Sequence, residues 1–382
     1  MAGTATNAGG LFRARFAPSD TATVVRRLQD AGAIIIGKLV LTEGAWATHH
    51  PTISQPVNPW APNRWPGVSS SGSGVSVAAG MTYGAIGSDT AGSIRFPSAA
   101  NHLVGLKPTW GRVSRQGVFP LSDNFDHVGP MARSVMDVAL MSGAIAGADP
   151  LDPTTLDAPL DDYAAAAQPR ALNGVRIGLH ADYALTGLDA VTEAAMRATI
   201  AALQAAGATI VEVSVGDVRS ILEKAIEAAF VEAAVSHAQT YPSEKSTYTE
   251  SYASLLDIGH AASALDYAAV TVWRQEFHGR LRSIFPQADM IVVPVMPIES
   301  PTVAGWAEML NAPPLSAAPL VAYTIPYNLA GVPSLTLPMG SEPSNGPLGF
   351  QLIGPDLSEA QLLSVGAAYE QVAGTAAQHP RL

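Results

Sequence analysis

Two serine sites stand 24 residues apart: the cluster Ser69-Ser70-Ser71 and the single Ser93. Both lie in glycine-bearing loops, Gly67-Val68-Ser69-Ser70-Ser71-Gly72 and Gly87-Ser88-Asp89-Thr90-Ala91-Gly92-Ser93. A serine hydroxyl near its ordinary pKa is a weak nucleophile and needs a base. A serine exposed in a loop after a strand, next to glycine, can have neighbouring backbone N–H groups placed to hold an oxyanion. Acyl transfer is the chemistry these residue types allow. Three plainer readings compete. A Ser/Gly-rich run is often a flexible linker, but Val75, Val77, Ala78 and Ala79 follow at once and are core-like. A phosphate loop needs a Gly-Lys-Ser/Thr that is missing here. A Gly-x-Ser-x-Gly elbow is absent too, since neither Ser69 nor Ser93 has glycine two residues away on both sides.

The segment Gly67–Ser98 resembles the signature of the amidase signature family. That pattern is a Gly-Gly-Ser-Ser-Gly-Gly loop followed by Gly-Thr-Asp-Thr-Gly-Gly-Ser-Ile-Arg-x-Pro, met here by Gly67–Gly72 and by Gly87–Pro97. The offset between Ser69 and Ser93 also matches. The resemblance implies that Ser93 is the acylated nucleophile and that Ser69, preceded by a cis peptide, relays its proton. It further implies that the N–H groups of Thr90, Ala91, Gly92 and Ser93 hold the oxyanion, with Ser70, Asp89 and Arg95 in support. Asp89 and Arg95 are expected to pair and brace the loop. Ala91 stands where the family has glycine, a mild change because its N–H remains.

The family's base is a desolvated lysine on an earlier strand, and burial is what lowers a lysine pKa into a useful range. The chain has only Lys38, Lys107, Lys224 and Lys245, none at that position. Lys38 is read as structural, binding a backbone carbonyl. The chain is therefore read as one amidase domain, residues 1–382, that is N-terminally incomplete. The expected function is hydrolysis of the C–N bond of an amide, with carbamates or esters as further substrates. Two alternatives stand beside it: a catalytically impaired protein of the same fold, and the amidase-like subunit of a tRNA-dependent amidotransferase.

Composition narrows the classes. With no cysteine among 382 residues, disulfides, thiolate chemistry and cysteine-based zinc sites are excluded. A net charge of −11 argues against nucleic acid as the main partner. No run approaches the roughly 18 apolar residues of a membrane span, and the N-terminus lacks the apolar stretch of a signal peptide. The expectation is a cytoplasmic enzyme without cofactor or metal, acting on a small molecule, with a homodimer possible.

The loops need elements to hold them. Val75–Ala79 reads as a helix start and Tyr83–Gly87 as a buried strand. Upstream, Ser19 reads as the N-cap of a helix carrying Val24, Val25 and Leu28, and Ala33–Ile36 as a buried strand. Asp126–Pro130 reads as a turn before a helix over Ser134–Ala146. Val175–Leu179, Val191–Ala206 and Thr209–Val213 read as strand, helix, strand. Long helices are expected over Val218–Thr240 and Ala264–Phe285, joined by the polar stretch Tyr241–Leu256. Asp289–Pro294, Pro333–Pro338 and Leu348–Gly354 read as strands, Pro297–Pro319 as a loop, and Ser358–Val372 as the last helix. Together these predict an α/β/α fold, a large mixed sheet with helices on both faces. The substrate pocket is expected to be apolar, walled by Ser122–Phe125 and the central helices, with Phe230, His237, Tyr248 and Trp273 as candidates.

Overall fold

The runs rich in valine, isoleucine and leucine become strands, since such side chains fit a pleated, half-buried surface. In the computed structural model, which describes residues 1–311, 318–340 and 346–381, eight strands form one sheet. They are β1 (Gly84–Asp89), β2 (Val104–Lys107), β3 (His127–Ala132), β4 (Arg176–Leu179), β5 (Thr209–Glu212), β6 (Met290–Pro294), β7 (Ser334–Pro338) and β8 (Gly349–Ile353). Their spatial order is β1-β3-β2-β7-β8-β6-β4-β5. From β1 to β6 along that order every neighbouring pair is antiparallel, while β6, β4 and β5 run parallel. The sheet is mixed, as expected.

Thirteen α-helices accompany it among the described residues. The first four are α1 (Thr23–Asp30), α2 (Ser71–Ala78), α3 (Arg95–Ala100) and α4 (Val135–Ile145). Next come α5 (Tyr163–Ala166), α6 (Ala181–Leu185), α7 (Ala190–Ala205), α8 (Leu222–Ser236) and α9 (Glu250–Ala261). The last are α10 (Ala264–Ile284), α11 (Val303–Asn311), α12 (Ile325–Ala330) and α13 (Glu359–Ala373). Ser134, Asp189, Thr249 and Ser263 cap α4, α7, α9 and α10 by accepting a backbone N–H three residues on.

Successive strand residues point to opposite faces, and the core divides accordingly. Val292, Leu335, Leu337 and Leu352 pack on one face with α4, α7 and α13. Ile291, Val293 and Ile353 pack on the other with Phe277 and Leu281 of α10 and Tyr327 of α12. Helices thus cover both faces. Among the described residues no helix is long and apolar enough to cross a membrane.

Five local readings are corrected. Ala33–Ile36 is no strand and is not buried: Ile34 is 88% and Ile36 70% exposed, with Leu39 and Val40 also open. A β-branched run becomes a strand only when a neighbour pairs with it, and none does here among the described residues. Ser19 caps nothing; its hydroxyl turns to Asp20, and α1 starts behind Ala22. Asp126–Pro130 is not a turn, because His127–Pro130 open β3 in register with β1. The polar stretch Tyr241–Leu256 hides the start of α9, whose Tyr252 and Leu256 are buried. Within Pro297–Pro319, Val303–Asn311 is helical, while residues 312–317 lie outside the described set.

Candidate active site

The second serine loop is held by a buried carboxylate. Asp89 closes β1 and its side chain turns back to accept N–H groups from Gly92 (2.8 Å), Ile94 (3.1 Å) and Arg95 (3.3 Å). Arg95 completes the clasp with Nε to Oδ2 at 3.0 Å and Nη2 to Oδ1 at 2.9 Å, both side chains fully buried. Such a two-pronged pair fixes geometry as well as charge. Burial alone would push the Asp89 carboxyl up; the Arg95 guanidinium and the Asn328 amide outweigh it and hold it well below the usual carboxylate range. The remaining Arg95 protons go to Thr324 O (3.1 Å), Gln351 Oε1 (3.1 Å) and Asn328 Oδ1. Thr324 Oγ1 also donates to Ala91 O at 2.5 Å.

Between Ala91 and Ser93 the backbone tolerates only glycine. Gly92 has φ +127°, and a Cβ there would sit 2.5 Å from the Phe96 ring. With Gly92 N–H given to Asp89, the N–H groups of Thr90, Ala91 and Ser93 donate to no protein group among the described residues. These three are the donors open to an oxyanion.

The first serine loop packs beside β1. The Val68–Ser69 peptide is cis. Ser70 Oγ accepts from Ser88 N (3.2 Å) and donates to Ser88 O (3.3 Å), and Ser73 Oγ donates to Ile86 O, so α2 is stitched to the outer edge of the sheet. Ser69 is fully buried, and its Oγ has no hydrogen-bond partner among the described residues, Ser93 included. Ser71 Oγ meets His49 Nε2 at 2.8 Å, and burial drops the His49 pKa to about 4, so that ring is neutral at pH 7.

None of the four lysines is hydrogen-bonded to these serines. Lys38 Nζ donates to Ala5 O (2.8 Å) and Thr6 Oγ1 (2.5 Å), so it does bind a backbone carbonyl. Lys107 is fully buried, and desolvation, then Arg95, push its pKa well below the ordinary value. It nevertheless donates to Val332 O (2.5 Å) and Pro108 O (3.3 Å). Lys224 and Lys245 pair with Asp266 and Asp257.

Thr90 leans on a second carboxylate. Its Oγ1 donates to Asp126 Oδ1 at 2.5 Å, and Asp126 Oδ2 takes the N–H groups of Leu121 and Ser122. Burial pushes Asp126 up to about 6 against those hydrogen bonds. A folded pKa above the unfolded 3.8 means that the folded chain holds the extra proton between pH about 4 and 6. Stability from this group is full below that window and falls as pH rises through it, by about 3 kcal/mol. Urea unfolding of the parent and Asp126→Asn at several pH values should show their difference shrinking from pH 4 to pH 7. A constant difference counts against a buried, protonated Asp126.

Ser93 opens into a cavity. Its walls are Trp46, Trp65, Phe96, Ile226, Trp306 and Leu310, with Ala91 and Val68 beside the serine. The indoles of Trp65 and Trp306 lie 4.5 Å apart at 30°, and Trp306 Nε1 is tied to Ala47 O.

The structure brings Ser69, Ser70, Asp89, Thr90, Ala91, Gly92, Ser93 and Arg95 into one neighbourhood. It does not bring the expected wall Ser122–Phe125 there. Asn124 and Phe125 line a different cavity with Arg274, and Ser122 and Asn124 bind Glu232. Of the central helices, α8 supplies Ile226. Phe230 is not among the lining residues and packs edge-on against Trp46, His237 bonds Tyr248 and Tyr252, and Trp273 stacks on Phe277. Sequence reading missed His49, Asp126, Thr324, Asn328 and Gln351. Only His49, 22 residues ahead of Ser71, left a local trace, as a histidine upstream of a serine cluster.

The family model Amidase matches residues 1–363. The putative amidase AmiD of Mycobacterium tuberculosis is 40% identical over 377 residues, covering 98% of this chain and 78% of that protein. A glutamyl-tRNA(Gln) amidotransferase subunit of Chloroflexus aggregans is 37% identical, covering 100% of this chain and 82% of that one. Among solved structures, 6-aminohexanoate cyclic dimer hydrolase complexed with substrate gives a TM-score of 0.85 at 25% identity, over 100% of this chain and 84% of that one. The peptide amidase PAM in complex with chymostatin gives 0.81 at 30% identity, over 100% and 82%.

Proposed function

The chain belongs to the amidase family, and from that premise we propose that it hydrolyses amides through an acyl-enzyme on Ser93. Ser93 Oγ attacks the carbonyl carbon and gives its proton to Ser69 Oγ, while Ser69 gives its own proton to the substrate nitrogen, and the carbonyl oxygen is held by the N–H groups of Thr90, Ala91 and Ser93. The C–N bond breaks to release the protonated amine, and water then attacks the ester at Ser93, one of its protons returning through Ser69 to Ser93 Oγ as the acid is freed. Asp89 and Arg95 hold the loop, and Ser70 fastens the relay loop to β1. The observation that carries this reading is Ser93 itself, at the wall of a cavity and beside N–H groups with no acceptor among the described residues. Residues 1–382 belong to one amidase domain in this proposal, acting in the cytoplasm, which cell fractionation would check, while sedimentation would show whether it pairs with a second copy.

A fluorophosphonate should add once to the protein, and mass spectrometry of the digest should place the adduct on Ser93. An adduct elsewhere, or none, counts against the nucleophile. A second reading, a catalytically impaired amidase fold, is favoured by the unpartnered Ser69 Oγ and by four lysines bound elsewhere. It predicts turnover of activated esters, whose leaving groups need no proton, with amide turnover near background. The amidotransferase-subunit reading has the 37% likeness behind it, and co-purification with a partner or tRNA would favour it.

A further inference from the structure

We infer that the substrate group lodged beside Ser93 is flat and uncharged, an aromatic acyl group before any other, and that free glutamine is not the amide consumed. This deepens the amidase reading and rests on Ser93 being the nucleophile.

Two observations carry it. The first is the chemistry of the walls. Trp46, Trp65, Trp306 and Phe96 supply ring faces and edges, and aromatic pairs gain from offset or tilted contact beyond the area they bury. The second is charge. None of the lining residues among those described is ionisable. Glutamine would carry an ammonium and a carboxylate into this lining, and charges buried without partners are strongly disfavoured. Glu232 and Arg274 line the separate cavity behind Phe125.

The test measures binding and turnover separately. Three tryptophans line the cavity, so indole fluorescence reports its occupancy directly. Benzamide should bind about 30-fold more tightly than acetamide, as expected for the extra apolar surface of a ring, and L-glutamine should leave the signal unchanged. The kcat/KM values for the same amides should follow the same order. Trp306→Ala should weaken benzamide about 10-fold with little change for acetamide. Should that variant misfold, Leu310→Glu, at a half-buried position, provides a second check: it should weaken benzamide and more strongly still benzoate. Turnover of amides without preference for the ring, or glutamine binding as well as benzamide, overturns the inference and leaves the hydrolase standing. Selective benzamide binding without turnover of any amide or ester upholds the pocket and removes the hydrolase.

Discussion

Ser93→Ala should lower amide turnover by roughly 10⁴–10⁶-fold, the range seen when a serine nucleophile is removed from a hydrolase. The fold should survive, because the change deletes one oxygen at the wall of a cavity and leaves the Asp89 clasp untouched. Unfolding free energy should therefore move by no more than about 0.5 kcal/mol. Ser69→Ala should cost less, roughly 10²–10⁴-fold, the usual worth of a positioned proton-transfer group. Combining the two should be no worse than Ser93→Ala alone, since a relay without a nucleophile has nothing to relay. The comparison needs an amide and an activated ester assayed side by side. Ser69→Ala should spare the ester more than the amide. A Ser93→Ala enzyme within tenfold of its parent would end the assignment and send attention to Ser71, the one serine in the cluster hydrogen-bonded to a neutral histidine.

Arg95→Met should destabilise the protein by about 3–5 kcal/mol, because removing one member of a buried pair strands the other. The Asp89 carboxylate would be left in a fully buried site with Asn328 and three backbone N–H groups as its remaining partners. Replacing both members, Asp89→Leu with Arg95→Met, should restore part of that loss, since a desolvated pair is seldom much better than an apolar one. Activity should not return with it, because the Gly92 and Ile94 N–H groups would have lost the acceptor that curls the loop. Urea unfolding and turnover, measured on the single and double variants, separate the two effects. A loss below about 1 kcal/mol for Arg95→Met would mean that the pair is not the brace.

The parts of the site that could be read from sequence are those whose partners are near in the chain. Ser69, Ser93 and the glycines around them announce two loops, and Asp89 and Arg95 are only six residues apart. Asn328, Thr324 and Gln351 could not be read in that way. They lie 229 to 256 residues from Arg95, inside runs that look like ordinary core, and only the sheet order shows that they converge on it. Trp306 was hidden for a different reason: proline and alanine on either side made its stretch look like loop, yet Val303–Asn311 forms a helix that carries the ring to the cavity. The run Ala33–Ile36 erred the other way. Its composition suits a strand, but a strand also needs a neighbour, and periodicity says nothing of neighbours.

The sheet order also sets what can change independently. The clasp draws on β1, α3, α12 and β8, all tied to the antiparallel part of the sheet. Three cavity walls come from elsewhere: Trp46 from a loop ahead of the first strand, Ile226 from α8 and Trp306 from α11. A lineage, or a designer, could exchange α11 or Ile226 of α8 and alter which molecules are accepted without disturbing the hydroxyl proposed to attack them. Substrate range and chemical competence are then separately heritable, and libraries confined to Trp46, Ile226, Trp306 and Leu310 should yield many folded, reactive proteins of differing appetite.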